Sequence, residues 1–166
     1  MGGFSLPRPV QELICRYDTT MERKKLILTQ GIPGSGKTTW ARTWVTEGTG
    51  RIRISRDDLR TMMGCYWVPE RESYVTELEE YSISLAMVKG YDIVVDAMNL
   101  NPETVAKFRK TCELHNKLNP NQYDLEFKKF TDVPLETCIE RDKARPDRTV
   151  GELVIRGIWE RYLSKK

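Results

Sequence analysis

One stretch constrains this chain more than any other: Gly31-Ile32-Pro33-Gly34-Ser35-Gly36-Lys37-Thr38. It fits the spacing G-x-x-x-x-G-K-[ST] at every fixed position. The apolar run Lys25-Leu26-Ile27-Leu28-Thr29 precedes it and reads as a strand; Thr38 to Val45 follows it and reads as a helix. Strand, glycine loop and helix are the context the spacing requires. Such a loop curls so that backbone N–H groups point inward at phosphate oxygens, and the new helix aims its positive end at the same place. Lys37 can then reach β- and γ-phosphates, and the Thr38 hydroxyl can ligate Mg²⁺. The pattern implies ATP or GTP as phosphate donor and leaves the acceptor open.

The remaining composition excludes more than it asserts. A chain of 166 residues with 39% hydrophobic side chains can bury one domain's core. The net charge of +3 is too small to argue for a polyanionic partner on its own. Cys15, Cys65, Cys112 and Cys138 are widely spaced and form no C-x-x-C pair, which argues against a zinc site or disulfide framework and fits a reducing cytoplasm. The single histidine, His115, leaves no basis for a H-E-x-x-H protease or a zinc deaminase, and a Ser-His-Asp hydrolase has no motif here; His115 itself reads as a surface residue near a helix end. No apolar run is long enough for a membrane span, no signal-peptide region opens the chain, and Leu6 breaks the myristoylation pattern. No N-K-x-D guanine signature and no internal repeat are present.

In chain order, residues 1–23 form an N-terminal extension in which 10–17 can make a short helix, and 24–166 form the principal domain. Arg51-Ile-Arg-Ile54 alternates as a second strand. Ser55 with Asp58 three residues on has the form of a capping box, so a helix is expected to about Met63. A long helix from Glu70 ends at Gly90. Tyr91–Asp96 is apolar enough for a central parallel strand. Pro102 opens a helix to about Leu118, and 123–130 forms a fourth strand. Pro134 opens a helix that must end before Pro146, and Val150 to Leu163 is the last helix, with Leu153, Val154, Ile158 and Leu163 as its core face. The alternation predicts an α/β fold: a mainly parallel four-stranded sheet with helices on both faces. Its site should lie at the carboxyl ends of the strands.

Four constellations could converge there. Asp57 and Arg60 share a helical face, so a carboxylate able to take the proton of an attacking hydroxyl would sit beside an arginine able to hold an anionic acceptor. Asp57 could equally be a helix-start charge that complements the dipole. Asp96, at the end of an apolar strand, is placed like a Walker-B acid that holds Mg²⁺ directly or through water, or like a strand-end turn residue. Arg141 and Arg145 lie one helical turn apart in a basic segment placed as a lid, where arginines can stabilise a transferring phosphoryl group or form a solvated face. Trp40 and Trp44 read as core, and Arg23-Lys24-Lys25 as a strand flank.

These residues together resemble the 5′-kinase domain of phage polynucleotide kinases. Leu-Thr-x-Gly-x-Pro-Gly-Ser-Gly-Lys-[ST]-Thr-Trp-Ala-Arg is met from Leu28 through Thr39 to Arg42. Arg-Asp-Asp-x-Arg is met by Arg56, Asp57, Asp58 and Arg60, Asn-Leu-Asn-Pro by Asn99–Pro102, and the lid's Arg-x-x-x-Arg by Arg141 and Arg145. The resemblance covers about residue 25 to the end. It implies a P-loop kinase fold with a basic lid, ATP as donor with GTP as a second candidate, Mg²⁺ on Thr38, and 5′-hydroxyl DNA or RNA ends as acceptor. It implies Asp57 as general base, Arg60 on the acceptor's terminal phosphate, and Lys37 and Arg145 on the transition state. Gly31 to Thr39, with Arg141 and Arg145, would bind the nucleotide, and Arg56 and Asp96 would join the acceptor side. Arg141 and the segment near Arg148 would flank the nucleobase. It further implies nucleic-acid end repair linked to a ligase, in the cytoplasm of a phage host, with no membrane association. Two departures stand out. Met98 replaces a polar threonine after the third strand, which removes an acceptor hydrogen bond and, against a shorter form of the motif, shifts the register of Asp96 by one. No Asp-x-Asp-x-Thr signature follows the kinase, so no phosphatase activity is expected. The competing expectations are a P-loop kinase of a small phosphorylated metabolite or nucleoside, and a nucleotide-dependent binding protein with slow hydrolysis.

Overall fold

The computed structural model describes residues 23–146 and 149–164. The short helix expected at 10–17 and the expected role of Arg148 lie outside the described residues. The apolar run before the glycine loop forms β1 (Lys24–Gln30), and the helix after it forms α1 (Lys37–Thr46). The chain continues through β2 (Arg51–Ile54), α2 (Arg56–Thr61), a 3-10 turn (Pro69–Arg71) and α3 (Glu72–Lys89). Then follow β3 (Asp92–Val95), α4 (Pro102–Leu118), β4 (Tyr123–Lys129), α5 (Leu135–Lys143) and α6 (Glu152–Tyr162). Gly90 ends α3 in the left-handed region, φ 76°, where glycine is favoured.

The strand order is β2-β3-β1-β4, and every neighbouring pair is parallel. The chain leaves β1 toward the β2 edge and leaves β3 toward the β4 edge. The carboxyl ends of β1 and β3 therefore flank the point where the winding reverses, which is where open parallel sheets hold their ligands.

Alternation along the strands builds a core on each face. Leu26, Leu28, Ile93 and Val95 pack with Ile83, Ala86 and Met87 of α3 and Phe108 and Cys112 of α4. Ile27 and Val94 point the other way, against Ala41 of α1, where Trp40 and Trp44 are partly buried as core neighbours. A third cluster joins Ile32 of the glycine loop to Cys138 and Ile139 of α5 and Ile155 of α6. That cluster attaches the loop to the two late helices. Arg23 and Lys25 pair with Asp124 and Glu126 of β4, as a strand flank does.

Three expectations are corrected. Ser55 stands at the N-cap of α2 but makes no side-chain cap hydrogen bond, and the Asp58 carboxylate accepts from Arg53 instead of closing a capping box. A charged partner across β2 outcompetes the local cap. In α6 the buried residue is Ile155, with Ile158, Trp159 and Leu163 packed beside it, while Leu153 and Val154 are exposed. Leu153 is two residues, about 200°, from Ile155 and so lies on the opposite face. His115 is buried rather than on the surface. It continues the stripe of Phe108 and Cys112 and meets the Tyr123 ring edge-on, with centroids 5.2 Å apart. Burial lowers its pKa.

Candidate active site

The glycine loop is shaped by contacts that only some residues allow. A Cβ at Gly34 would stand 2.1 Å from the carbonyl oxygen of Cys138, and φ there is 83°. Gly36 meets no such obstacle; its φ of 98° is what restricts it. The Gly31 N–H donates to the Met98 carbonyl at 3.2 Å, so the loop after β3 holds the start of the glycine loop. Asn99 locks that second loop. Its backbone is left-handed at φ 44°, and its buried amide donates to the carbonyls of Thr29 and Val95 at 2.9 and 3.1 Å. The Met98 side chain, by contrast, is exposed. Within the loop Ile32, Gly34 and Ser35 are buried, Pro33 is half-buried, and Thr39 on the first turn of α1 is exposed.

The Lys37 ammonium is buried and folds back on its own loop, donating to the Ile32 carbonyl at 2.8 Å and the Ser35 hydroxyl at 3.4 Å. Burial pulls its pKa down to about 8; the Asp96 charge opposes that shift, the Arg145 charge adds to it, and the Asp57 charge opposes it more weakly. One lysine thus feels Asp96 beyond β3, Asp57 on α2 and Arg145 after α5. These residues are far apart in sequence, and the fold gathers them around the loop.

Beside Lys37, the Thr38 hydroxyl donates to Asp96 Oδ1 at 3.2 Å. Asp96 is buried just beyond β3, and its second oxygen accepts from Arg53 Nε at 2.8 Å. A hydroxyl and a carboxylate oxygen therefore meet at the start of α1. Hard oxygen donors of this kind suit Mg²⁺, which takes one or two protein ligands and completes its shell with phosphates and water. Among the described residues no group of three or more His, Cys, Asp or Glu could hold a metal ion.

A second polar cluster is built on α2. Arg60 donates to Asp57 Oδ1 at 3.1 Å, and the Tyr66 hydroxyl donates to the same oxygen at 2.6 Å. Arg60 also grips Glu72 with two bonds of 2.7 Å. That grip lowers the Glu72 pKa to about 2 and raises that of Arg60 well above its usual value. Arg56 donates to Glu79 at 3.0 Å and to Glu72 and Thr76 at 3.1 Å. Arg56 and Arg60 thus share Glu72, and the network fastens α2 to α3.

The late helices bring the basic segment. Arg141 is exposed on α5, and Arg145 just beyond it is half-buried. Arg145 lies 3.6 Å from Asp142 Oδ1. Asp142 is buried, and its other oxygen accepts the N–H groups of Val150 and Gly151 at 2.8 and 3.0 Å. One carboxylate ties the end of α5 to the start of α6 and faces Arg145.

Sequence reasoning missed Arg53, Tyr66, Glu72 and Asp142. The alternation of β2 makes Arg53 look like one of two solvated arginines, and only the β2–β3 register turns it toward Asp96. Asp142 lies between Arg141 and Arg145, and no local signal pointed from the chain after Pro146 back to it.

Comparison with known proteins places the chain in a family. Residues 26–165 match the family described as an AAA domain. A protein of Autographa californica nuclear polyhedrosis virus, assigned as a bifunctional polynucleotide kinase/RNA ligase, is 29% identical over 140 residues, covering 75% of this chain and 19% of that protein. A structure of the Pnkp1/Rnl/Hen1 RNA repair complex superposes with a TM-score of 0.68 at 25% identity, covering 84% of this chain and 44% of the matched one. A second Pnkp1/Rnl/Hen1 complex gives 0.58 at 26% identity, covering 79% and 42%. The chain spans less than half the length of each of these relatives. With residues 26–165 inside that family and the glycine loop at the head of an all-parallel sheet, the chain belongs to the AAA domain family.

Proposed function

We propose that the protein is an ATP-dependent polynucleotide 5′-hydroxyl kinase acting in nucleic-acid end repair, with RNA ends the first acceptors to test. The observation that carries the reading is the Asp57–Arg60 pair on α2, close enough to the loop for the Asp57 charge to act on Lys37. A carboxylate at that place can accept a proton from an acceptor hydroxyl beside the γ-phosphate. The names of the viral relative and of the RNA repair complexes support a polynucleotide as that acceptor.

In the proposed reaction the 5′-hydroxyl oxygen forms a bond to the γ-phosphorus as the bond to the β-phosphate bridging oxygen breaks, and ADP leaves. Asp57 takes the hydroxyl proton. Lys37 and Arg145 stabilise charge on the phosphoryl oxygens, and the loop N–H groups hold the β-phosphate. Gly31 to Thr39 with Arg141 form the remainder of the nucleotide site. Arg60 orients the acceptor's first phosphate, with Arg56 bracing it through Glu72. Thr38 and Asp96 would hold Mg²⁺, which supplies charge neutralisation at the phosphates when bound.

A small phosphorylated metabolite is the second reading, favoured by one observation. Arg56 and Arg60 are already paired with Glu72 and Glu79, which leaves the acceptor side with little excess positive charge for a long polyanion. Product analysis with labelled ATP, offering 5′-hydroxyl RNA, 5′-hydroxyl DNA and phosphorylated sugars, separates the two. Label on the oligonucleotide supports the first reading; label on a sugar phosphate alone overturns it. Asp57→Ala should lower the rate by about 10²-fold or more while nucleotide affinity holds, and near-normal turnover would remove Asp57 as the base.

A further inference from the structure

The segment between α2 and the 3-10 turn folds back over Arg60. The rings of Tyr66 and Trp67 have their centroids 5.7 and 5.3 Å from the Arg60 guanidinium carbon. The two aromatics differ in what they do there. Tyr66 commits its hydroxyl to Asp57. Trp67 leaves 57% of its surface in water. Single exposed apolar side chains are ordinary, but this one is not placed at random. It rests on an arginine whose side chain is only 14% exposed and is held along one edge by two bonds to Glu72. The backing is therefore stiff, and it belongs to the pair that marks the reacting hydroxyl.

We propose that Trp67 is a stacking platform for the terminal nucleobase of the acceptor. The inference rests on the polynucleotide reading and sharpens it. A rigid indole beside the acceptor arginine fits a ligand with a flat heteroaromatic face joined to a phosphate, and a sugar phosphate offers no such face. Because every base has a π-face, the contact would be indifferent to base identity. It would add affinity for a nucleotide end without added positive charge, which suits an acceptor side whose arginines are paired with glutamates.

The test uses two 5′-hydroxyl oligonucleotides that differ only in whether the first residue carries a base or is abasic. Steady-state transfer is measured for the wild type, Trp67→Ala, Trp67→Leu and Trp67→Phe, with thermal melting as a check on folding. Trp67→Ala should raise the acceptor KM about tenfold on the base-bearing oligonucleotide, within the range of base–aromatic stacking, and leave the ATP KM within about twofold. On the abasic acceptor the wild type should already show the higher KM, and Trp67→Ala should add nothing. Trp67→Phe should restore most of the loss and Trp67→Leu little of it. Oligonucleotide should also quench wild-type tryptophan fluorescence, and the quenching should disappear in Trp67→Phe. An equal loss on both acceptors would assign Trp67 to placing the segment and overturn the platform; no loss on either would overturn it as well. If the wild type transfers to neither oligonucleotide, the kinase reading fails and the platform with it, an outcome distinct from active enzyme indifferent to Trp67.

Discussion

Lys37 shows how a single residue records the state of the site. Its ordinary pKa near 10.5 falls to about 8 because the ammonium is buried. A lysine depressed in the fold opposes folding wherever it is charged there. That cost is full below about pH 8, and it is relieved as pH rises from about 8 to about 10.5, so this residue makes stability increase with pH in that window. Nucleotide phosphates favour the charged form, so binding should return the proton. At pH 8 to 9, ATP binding should take up roughly half a proton to one proton, read by calorimetry in buffers of different ionisation enthalpy. No uptake at pH 9 would contradict a neutral buried lysine. At this scale the placement of Lys37 and Thr38 in the glycine loop was legible from the spacing, while Asp57 and Asp96 were candidates whose roles the local pattern left open. Arg53 was not legible, because nothing in Arg51-Ile-Arg-Ile54 says which arginine will meet a buried carboxylate on another strand. His115 could have been read from the 108–112–115 stripe, and its lone polar identity outweighed that periodicity.

Among the elements, α5 leads into the basic segment and α6 follows it, and Asp142 is what joins them. Removing its carboxylate strands two part-buried N–H donors, at a cost of about 2–4 kcal/mol. Asp142→Ala should therefore lower Tm by roughly 5–15 °C. Asp142→Asn keeps an oxygen for Val150 and Gly151 and loses chiefly the charge that faces Arg145. It should melt closer to wild type yet lower kcat with the ATP KM little changed. Wild-type turnover in a folded Asp142→Asn would show that Arg145 needs no such partner. The boundaries of α4 and α1 were readable from Pro102 and the glycine loop, since start signals are local. The buried face of α6 was not, because apolar residues at 153, 154, 155 and 158 leave the phase of the helix undetermined until Ile32 and Cys138 supply the surface it meets.

For the whole molecule, the alternation of strands and helices was enough to anticipate a parallel sheet. The order β2-β3-β1-β4 was not in the pattern, yet it sets β1 beside β3 and so brings Thr38 to Asp96. In the proposed reaction the glycine loop carries the donor half, and the acceptor half would rest on α2, which Glu72 of α3 braces. The most direct measurement is transfer of labelled γ-phosphate to a 5′-hydroxyl oligonucleotide, made with and without a 3′-phosphate on the acceptor's first nucleotide. A polynucleotide kinase using Asp57 as base and Arg60 as phosphate ligand should label the oligonucleotide's 5′ end, and more efficiently when that phosphate is present, with Arg60→Ala removing the difference. Nucleotide turnover with no label on either oligonucleotide would contradict it.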